Sequence, residues 1–137
     1  MRVSEAENRR MLAQYIAEVW DAADPEAVRI FAGPGYRRHT SGSSEPLGVD
    51  AQVQRLVALR TAFPDITLTI DDVVAEGDRV AFRGTLRGTH RGEFLGVAAT
   101  GRTVAVAILD IIRVEGGLIA EHWGGPDLHD LARQLEG

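Results

Sequence analysis

An aspartate and a histidine on neighbouring predicted strands are the residues with the clearest capacity for chemistry. In residues 103–114 the even positions are aliphatic except Asp110, and the odd positions end in Arg113, so we expect Asp110 to face the core. Because burial disfavours a charged carboxylate, we also expect its pKa to be raised. A three-residue loop at Glu115-Gly116-Gly117 would set Asp110 directly opposite His122. Such a pair can transfer a proton as general acid and base.

The same pair has a second, structural interpretation. A buried aspartate and histidine often hydrogen-bond simply because each satisfies the other's polar atoms. The pairing also depends on the strand register, since a slip of one residue would turn His122 outward. The sequence alone leaves both interpretations open.

Five further residues are candidates for the wall of a pocket beside this pair. They are aromatic or imidazole side chains, which offer apolar surface and, in every case but phenylalanine, a polar group. They are Tyr15, Tyr36, His39, Phe82 and Trp123. We interpret the doublet Arg37-Arg38, by contrast, as solvated surface.

Composition excludes several kinds of chemistry. The chain has no cysteine, and all 15 of its basic residues are arginine, which excludes thiolate nucleophiles, Cys-based metal sites and lysine Schiff bases. The sequence has no HExxH or HxH motif of the kind that binds a metal, and no glycine-rich loop of the kind that binds a nucleotide. We therefore predict neither a metal nor a cofactor. The net charge of -5 argues against a nucleic-acid partner. Without a long apolar run we expect no membrane partner and a cytoplasmic location.

The elements that must position these residues indicate an α+β fold. The spacing predicts helices at 5–20, from Pro25 to Phe31 and at 50–63, with N-caps at Ser4, Asp24 and Asp50. After Pro64 the period changes to two, which predicts four hairpin-connected strands and a short C-terminal helix at 127–135. The 137 residues suit one domain, a curved antiparallel sheet with helices on one face that enclose a pocket.

Several motifs resemble the SnoaL-like polyketide cyclase family, within the NTF2-like (ketosteroid-isomerase-like) superfamily. The most specific is the block Gly88-Thr89-His90-Arg91-Gly92-Glu93-Phe94-Leu95-Gly96. The others are Tyr36-Arg37-Arg38-His39, Phe63-Pro64-Asp65, Glu76-Gly77-Asp78-Arg79-Val80-Ala81, Thr100-Gly101-Arg102, Glu121-His122-Trp123 and Gln134-Leu135. The resemblance implies a cone-shaped α+β fold and cofactor-free ring closure of a hydrophobic, ketone-bearing polyketide intermediate by intramolecular aldol condensation. It also implies a homodimer.

The chain departs from the family pattern at one important position. The family's catalytic aspartate follows the His-Trp pair, where this chain has Gly124, while Asp110 stands where the cyclases carry another pocket histidine. The resemblance therefore implies either that Asp110 has taken over proton transfer or that the aldol activity is absent.

Three hypotheses follow. The first is a cyclase in which Asp110 is the general base, His122 orients it or supplies the acid, and Tyr36, His39 and Trp123 line the pocket. The second is a non-catalytic ligand-binding or dimerisation module with a structural Asp110-His122 pair. The third is an isomerase or epoxide-opening enzyme that uses the same pocket.

Overall fold

The structure is a computed structural model that describes residues 4–40 and 44–137. These residues contain four α-helices and five β-strands. The helices are α1 (Glu5–Tyr15), α2 (Val28–Phe31), α3 (Val49–Ala62) and α4 (Leu128–Glu136). Helix α1 continues as a π-helix (Ile16–Asp21), and a 3-10 turn (Pro25–Ala27) precedes α2. The strands are β1 (Ala32–His39), β2 (Thr67–Glu76), β3 (Arg79–Thr89), β4 (Thr103–Glu115) and β5 (Leu118–Pro126).

The helix ends follow the predicted capping chemistry at two of three positions. The Ser4 side chain accepts the backbone N–H of Glu7 at 3.1 Å. Asp24 does the same for Glu26 at 3.2 Å, which begins the segment leading into α2. Helix α3 begins instead after Gly48, and the predicted cap Asp50 lies in its first turn, where it binds Arg29 at 2.5 Å.

The five strands form one sheet in the order β1-β5-β4-β3-β2. Strands β2 to β5 pair antiparallel, as predicted, whereas β1 adds to the edge parallel to β5. Strand β1 was not among the strands predicted from the sequence. Gly33, Pro34 and Gly35 hide the strand signal, since neither glycine nor proline is typical of a strand interior.

The core lies between one face of this curved sheet and the helices. Strand β4 alternates strictly, with Val104, Val106, Ile108, Asp110 and Ile112 all buried on the inner face. The predicted α+β arrangement of a curved sheet with helices on one face is therefore confirmed. No helix in the described ranges is both long enough and apolar enough to cross a bilayer.

Candidate active site

The carboxylate of Asp110 and the imidazole of His122 meet in the interior of the protein. Oδ2 of Asp110 lies 2.6 Å from Nε2 of His122, and their side chains are only 4% and 3% exposed. Asp110 projects from the inner face of β4 between Ile108 and Ile112, as its place in the alternating pattern predicts. Strand periodicity therefore correctly predicted an inward carboxylate.

The strand register that brings the two residues together differs from the predicted one. Asp110 lies opposite Gly124, and His122 lies opposite Ile112, so the expected direct pairing is wrong by two residues. Asp110 and His122 are instead diagonal neighbours on the same face, still close enough for their polar atoms to bond.

A two-residue turn and a bulge produce this register. Gly116 and Gly117 both have positive φ and form the turn, which pairs Val114 with Ile119. Continued without interruption, that register would turn His122 to the outer face. An extra residue in β5, Ala120, shifts the pairing by one and returns His122 to the interior.

Neighbouring charges decide the ionisation of the pair. Burial is the largest single influence on Asp110 and acts to raise its pKa, but the contact with His122 and the positive charges of Arg38 and Arg55 together lower it. The predicted rise in the pKa of Asp110 is therefore wrong. Burial first, and then the charge of Arg38, lower the pKa of His122 from 6.5 to about 4. We conclude that an ionised Asp110 accepts the Nε2–H of a neutral His122.

This hydrogen bond leaves two acceptor atoms free. Oδ1 of Asp110 and Nδ1 of His122 are both buried without a hydrogen-bond partner among residues 4–40 and 44–137. In the neutral tautomer that donates through Nε2, Nδ1 carries a lone pair. Each atom can therefore accept a hydrogen bond from a molecule that reaches it.

Two arginines that the sequence analysis did not select lie beside the pair. Arg38, expected on the surface, is 2% exposed, and its Nη2 is 3.8 Å from Oδ2 of Asp110. Arg55, on the inner side of α3, is partly buried and lines the same cavity. The burial of Arg38 could be predicted only by recognising strand β1, because the alternation of that strand buries Tyr36 and Arg38 and exposes Arg37.

Three of the predicted pocket residues lie on the same side of the sheet as the pair. Tyr15 and Phe82 line the cavity with Asp110 and His122, and Tyr36 is buried on the inner face of β1. Burial raises the pKa of Tyr36 to about 12 and raises that of Tyr15 as well, so both phenols keep their protons. The hydroxyl of Tyr36 has no hydrogen-bond partner within the described part of the chain.

The other two predicted pocket residues lie on the outer face of the sheet. His39 stacks on Trp123 with ring centroids 5.4 Å apart, and its Nε2 lies 2.9 Å from a carboxylate oxygen of Glu121. The guanidinium of Arg79 covers the Trp123 ring at 5.2 Å. His39 and Trp123 therefore lie outside the small cavity that Tyr15 and Phe82 line with Asp110 and His122. Trp123 instead borders an outer groove whose lining also includes Asp110. Both residues alternate with inward ones, Arg38 and His122, on their strands.

The cavity beside the pair is small. Its volume is about 10 Å³, which is room for roughly one water molecule. Of its lining residues, Trp20, Arg55 and Pro126 keep partial exposure. A larger molecule can therefore enter this cavity only if side chains at its mouth move.

The described residues contain no group of three or more histidine, aspartate or glutamate side chains placed to hold a metal ion. The chemistry that the site itself offers is proton transfer and hydrogen bonding by Asp110, His122, the tyrosines and the arginines.

The geometry and the fold agree with the comparisons to known proteins. The sequence model of the SnoaL-like polyketide cyclase family matches residues 10–135. The chain therefore belongs to the SnoaL-like polyketide cyclase family, whose members share the NTF2-like fold. No match was found among curated protein sequences.

Three solved structures illustrate the similarity. AclR from Streptomyces galilaeus, described as a "putative hydroxylase", is 28% identical with a TM-score of 0.87, covering 97% of this chain and 98% of its own. TsrD from Streptomyces laurentii is 31% identical with a TM-score of 0.83, covering 97% of both chains. IdmH from Streptomyces antibioticus, described as a "putative polyketide cyclase", is 31% identical with a TM-score of 0.81, covering 94% of this chain and 98% of its own.

Proposed function

We propose that the protein is a cofactor-free cyclase that closes a ring in a hydrophobic, ketone-bearing polyketide intermediate by an intramolecular aldol reaction. The observation that carries this proposal is the buried 2.6 Å contact between Asp110 and His122, with an acceptor atom free on each. Family membership supports the substrate class.

In this mechanism Asp110 is the general base. It is ionised, its Oδ2 is fixed by the Nε2–H of His122, and its Oδ1 is free to take a proton from a carbon next to a ketone. The resulting enolate attacks a second carbonyl of the same molecule, which closes the ring and forms an alkoxide. The alkoxide takes up a proton and Asp110 releases the one it removed, so the reaction is proton-neutral. The unpartnered hydroxyl of Tyr36, buried on the inner face of β1, is a neutral donor that could bind a developing oxyanion.

The lowered pKa of Asp110 places a condition on the substrate. A carboxylate with a low pKa is always ready at neutral pH, but it is a weaker base than one tuned near pH 7. The carbon acid must therefore be unusually acidic itself. Carbons between two carbonyl groups, as in a polyketide chain, meet this need because conjugation stabilises their enolates.

Gly124 supports the assignment of Asp110. A Cβ on Gly124 would lie 2.8 Å from Oδ1 of Asp110, so the Asp110 carboxylate borders the space that a side chain at position 124 would enter. The carboxylate that the resemblance expects after the His-Trp pair is thus supplied from the adjacent strand.

A matched pair of variants tests the function. Asp110→Asn breaks the buried carboxylate-histidine pair, whereas Glu121→Gln alters the corresponding contact with His39 on the outer face. Ring closure would be followed by chromatography on a panel of linear polyketide-type acids and their esters. We expect Asp110→Asn to lose about 10²- to 10⁴-fold in turnover while its circular dichroism is unchanged, and Glu121→Gln to retain activity. Equal turnover in wild type and Asp110→Asn would contradict the proposal.

The small cavity favours one alternative, a non-catalytic module whose Asp110-His122 pair is structural. In that case Asp110→Asn would lower the melting temperature without any effect on a reaction rate. The two functions are separated by measuring turnover and stability on the same variant.

We also propose a homodimer that forms through the outer face of the sheet. Val74, Leu109 and Ile111 are 63%, 64% and 43% exposed, and they border a groove of about 470 Å³ that also includes Trp123. Apolar side chains clustered on an open sheet face are typical of an interaction surface. A second copy of the chain is the partner that the family resemblance implies.

A further inference from the structure

An arginine with incomplete hydrogen bonding lies in the interior beside the reactive pair. Arg38 is 2% exposed, and its Nη2 donates to the backbone oxygen of Gly124 at 3.1 Å. The same atom is 3.8 Å from Asp110, beyond hydrogen-bond distance. Nε of Arg38 is buried and finds no acceptor in residues 4–40 and 44–137. Since an unsatisfied buried donor is costly, this guanidinium has capacity for one more acceptor.

A second guanidinium converges on the same place. Within residues 4–40 and 44–137, the one side-chain hydrogen bond of Arg55 is a long contact with Gln52, 3.5 Å from Nη1 to Oε1. Nη2 of Arg55 and Nη2 of Arg38 lie 3.4 and 3.5 Å from the point where a Cβ on Gly125 would stand. The absence of a side chain at Gly125 therefore leaves space between the two guanidinium groups.

The charges around the cavity do not balance. Two arginines face one ionised carboxylate, Asp110, while His122 and the tyrosine Tyr15 are neutral, so the lining carries one excess positive charge. Burial and then the charge of Arg38 lower the pKa of Arg55 to about 10, so an anion beside it would favour its charged form. A buried positive charge is stabilised by an anion.

We infer that the ligand of this site carries an ionised carboxylate, which binds between Arg38 and Arg55 beside Gly125. This inference rests on the proposed function and narrows its substrate class from ketones in general to ketone-bearing acids. A planar carboxylate matches the donor geometry of guanidinium groups and would accept from both arginines. Binding there leaves Asp110 and His122, on the neighbouring wall, free to act on the rest of the molecule.

Two probes that differ by a carboxylate charge and one methyl group test the inference. They are 4-oxo-4-phenylbutanoate, which has a ketone, an aromatic ring and a carboxylate, and its methyl ester. Calorimetric titration of the intact protein at neutral pH should show the acid binding about tenfold or more tightly than the ester. Replacing the partly exposed Arg55 by glutamine should remove most of that difference. Arg10→Gln, which removes an exposed charge on α1, is the control and should keep it.

Equal affinity for acid and ester, or an unchanged preference in Arg55→Gln, would overturn the inference. It would also be overturned if Arg55→Gln lowered turnover of an ester substrate at unchanged KM, because the arginines would then serve the oxyanion of the reaction. Arg55→Gln must show the circular dichroism of the wild type, and Arg55→Lys, which keeps the charge but loses the planar donor pair, should show an intermediate preference. These measurements of affinity are independent of the Asp110→Asn rate, so this inference and the proposed function can fail separately.

Discussion

Asp110 on β4 lies directly opposite Gly124 on β5. The Asp110 carboxylate borders the space that a side chain at position 124 would need. A Cβ on Gly124 would stand 2.0 Å from the backbone oxygen of Leu109 and 2.8 Å from Oδ1 of Asp110. Gly124 also has φ +111°, a conformation that residues with side chains rarely adopt. In this backbone, a side chain at position 124 is excluded first by the backbone of Leu109 and then by the carboxylate of Asp110.

The first prediction concerns this exclusion. Gly124→Ala should lower the free energy of unfolding by about 3 kcal/mol or more, because it adds both a clash and backbone strain. Gly35→Ala is the matched control, since a Cβ there would meet nothing within 4 Å and its φ is not positive. Urea denaturation followed by circular dichroism measures both.

The same position allows a sharper variant. Gly124→Asp restores the residue that the family resemblance places after the His-Trp pair, yet it should destabilise the protein at least as much as Gly124→Ala. A Gly124→Asp protein as stable as wild type would show that the strand has room for a carboxylate at position 124, and the exclusion would be refuted.

The second prediction concerns the dependence of stability on pH. The pKa of His122 is lowered from 6.5 to about 4 in the folded protein, so between these values the unfolded chain binds a proton that the folded chain does not. Stability should therefore fall as the pH drops from 6.5 to 4, by about 3 kcal/mol from this residue alone. The lowered pKa of Asp110 adds a further loss below pH 4.

Denaturant unfolding at several pH values, in wild type and in His122→Gln, isolates this contribution. The variant should lose about 3 kcal/mol less than wild type between pH 6.5 and 4. Parallel profiles for the two proteins would mean that His122 titrates normally and that the ionised-neutral description of the pair is wrong.

Much of the fold was predictable from the sequence, because caps and periodicity are local signals. The hairpin at Gly77-Asp78, the alternation that buries Asp110 and the amphipathic first helix all follow from neighbouring residues. Strand β1 was not predictable in this way, since it is held by parallel pairing to β5 at the far end of the chain.

The candidate site was predictable only in part. Asp110 and His122 were found through a register that was wrong, and the pairing survived because an error of two residues preserves the face. The bulge at Ala120 has no clear sequence signal. The inward side chain of Arg38 and the outward side chain of His39 follow from their positions in β1. Because that strand was not predicted, Arg38 was placed on the surface and His39 in the pocket.

The third prediction concerns the outer face of the sheet. Leu109→Glu places a charge in the centre of the exposed apolar cluster and should convert a dimer into a monomer. Thr103→Glu, on the same face of β4 but outside that cluster, should leave the assembly unchanged. Light scattering after size-exclusion chromatography measures the mass. A monomeric wild type, or a dimer in both variants, would contradict an interface on this surface.

The most direct test of the central claim is exchange of carbon-bound hydrogen for deuterium. A ketone-bearing polyketide analogue with a carbon between two carbonyls would be incubated in D₂O with the protein, and exchange at that carbon followed by NMR. We expect the wild type to accelerate exchange and Asp110→Asn to lose about 10²- to 10⁴-fold of that acceleration. Exchange by Asp110→Asn at the wild-type rate, or none above background with the wild type, would contradict a catalytic role for the buried carboxylate.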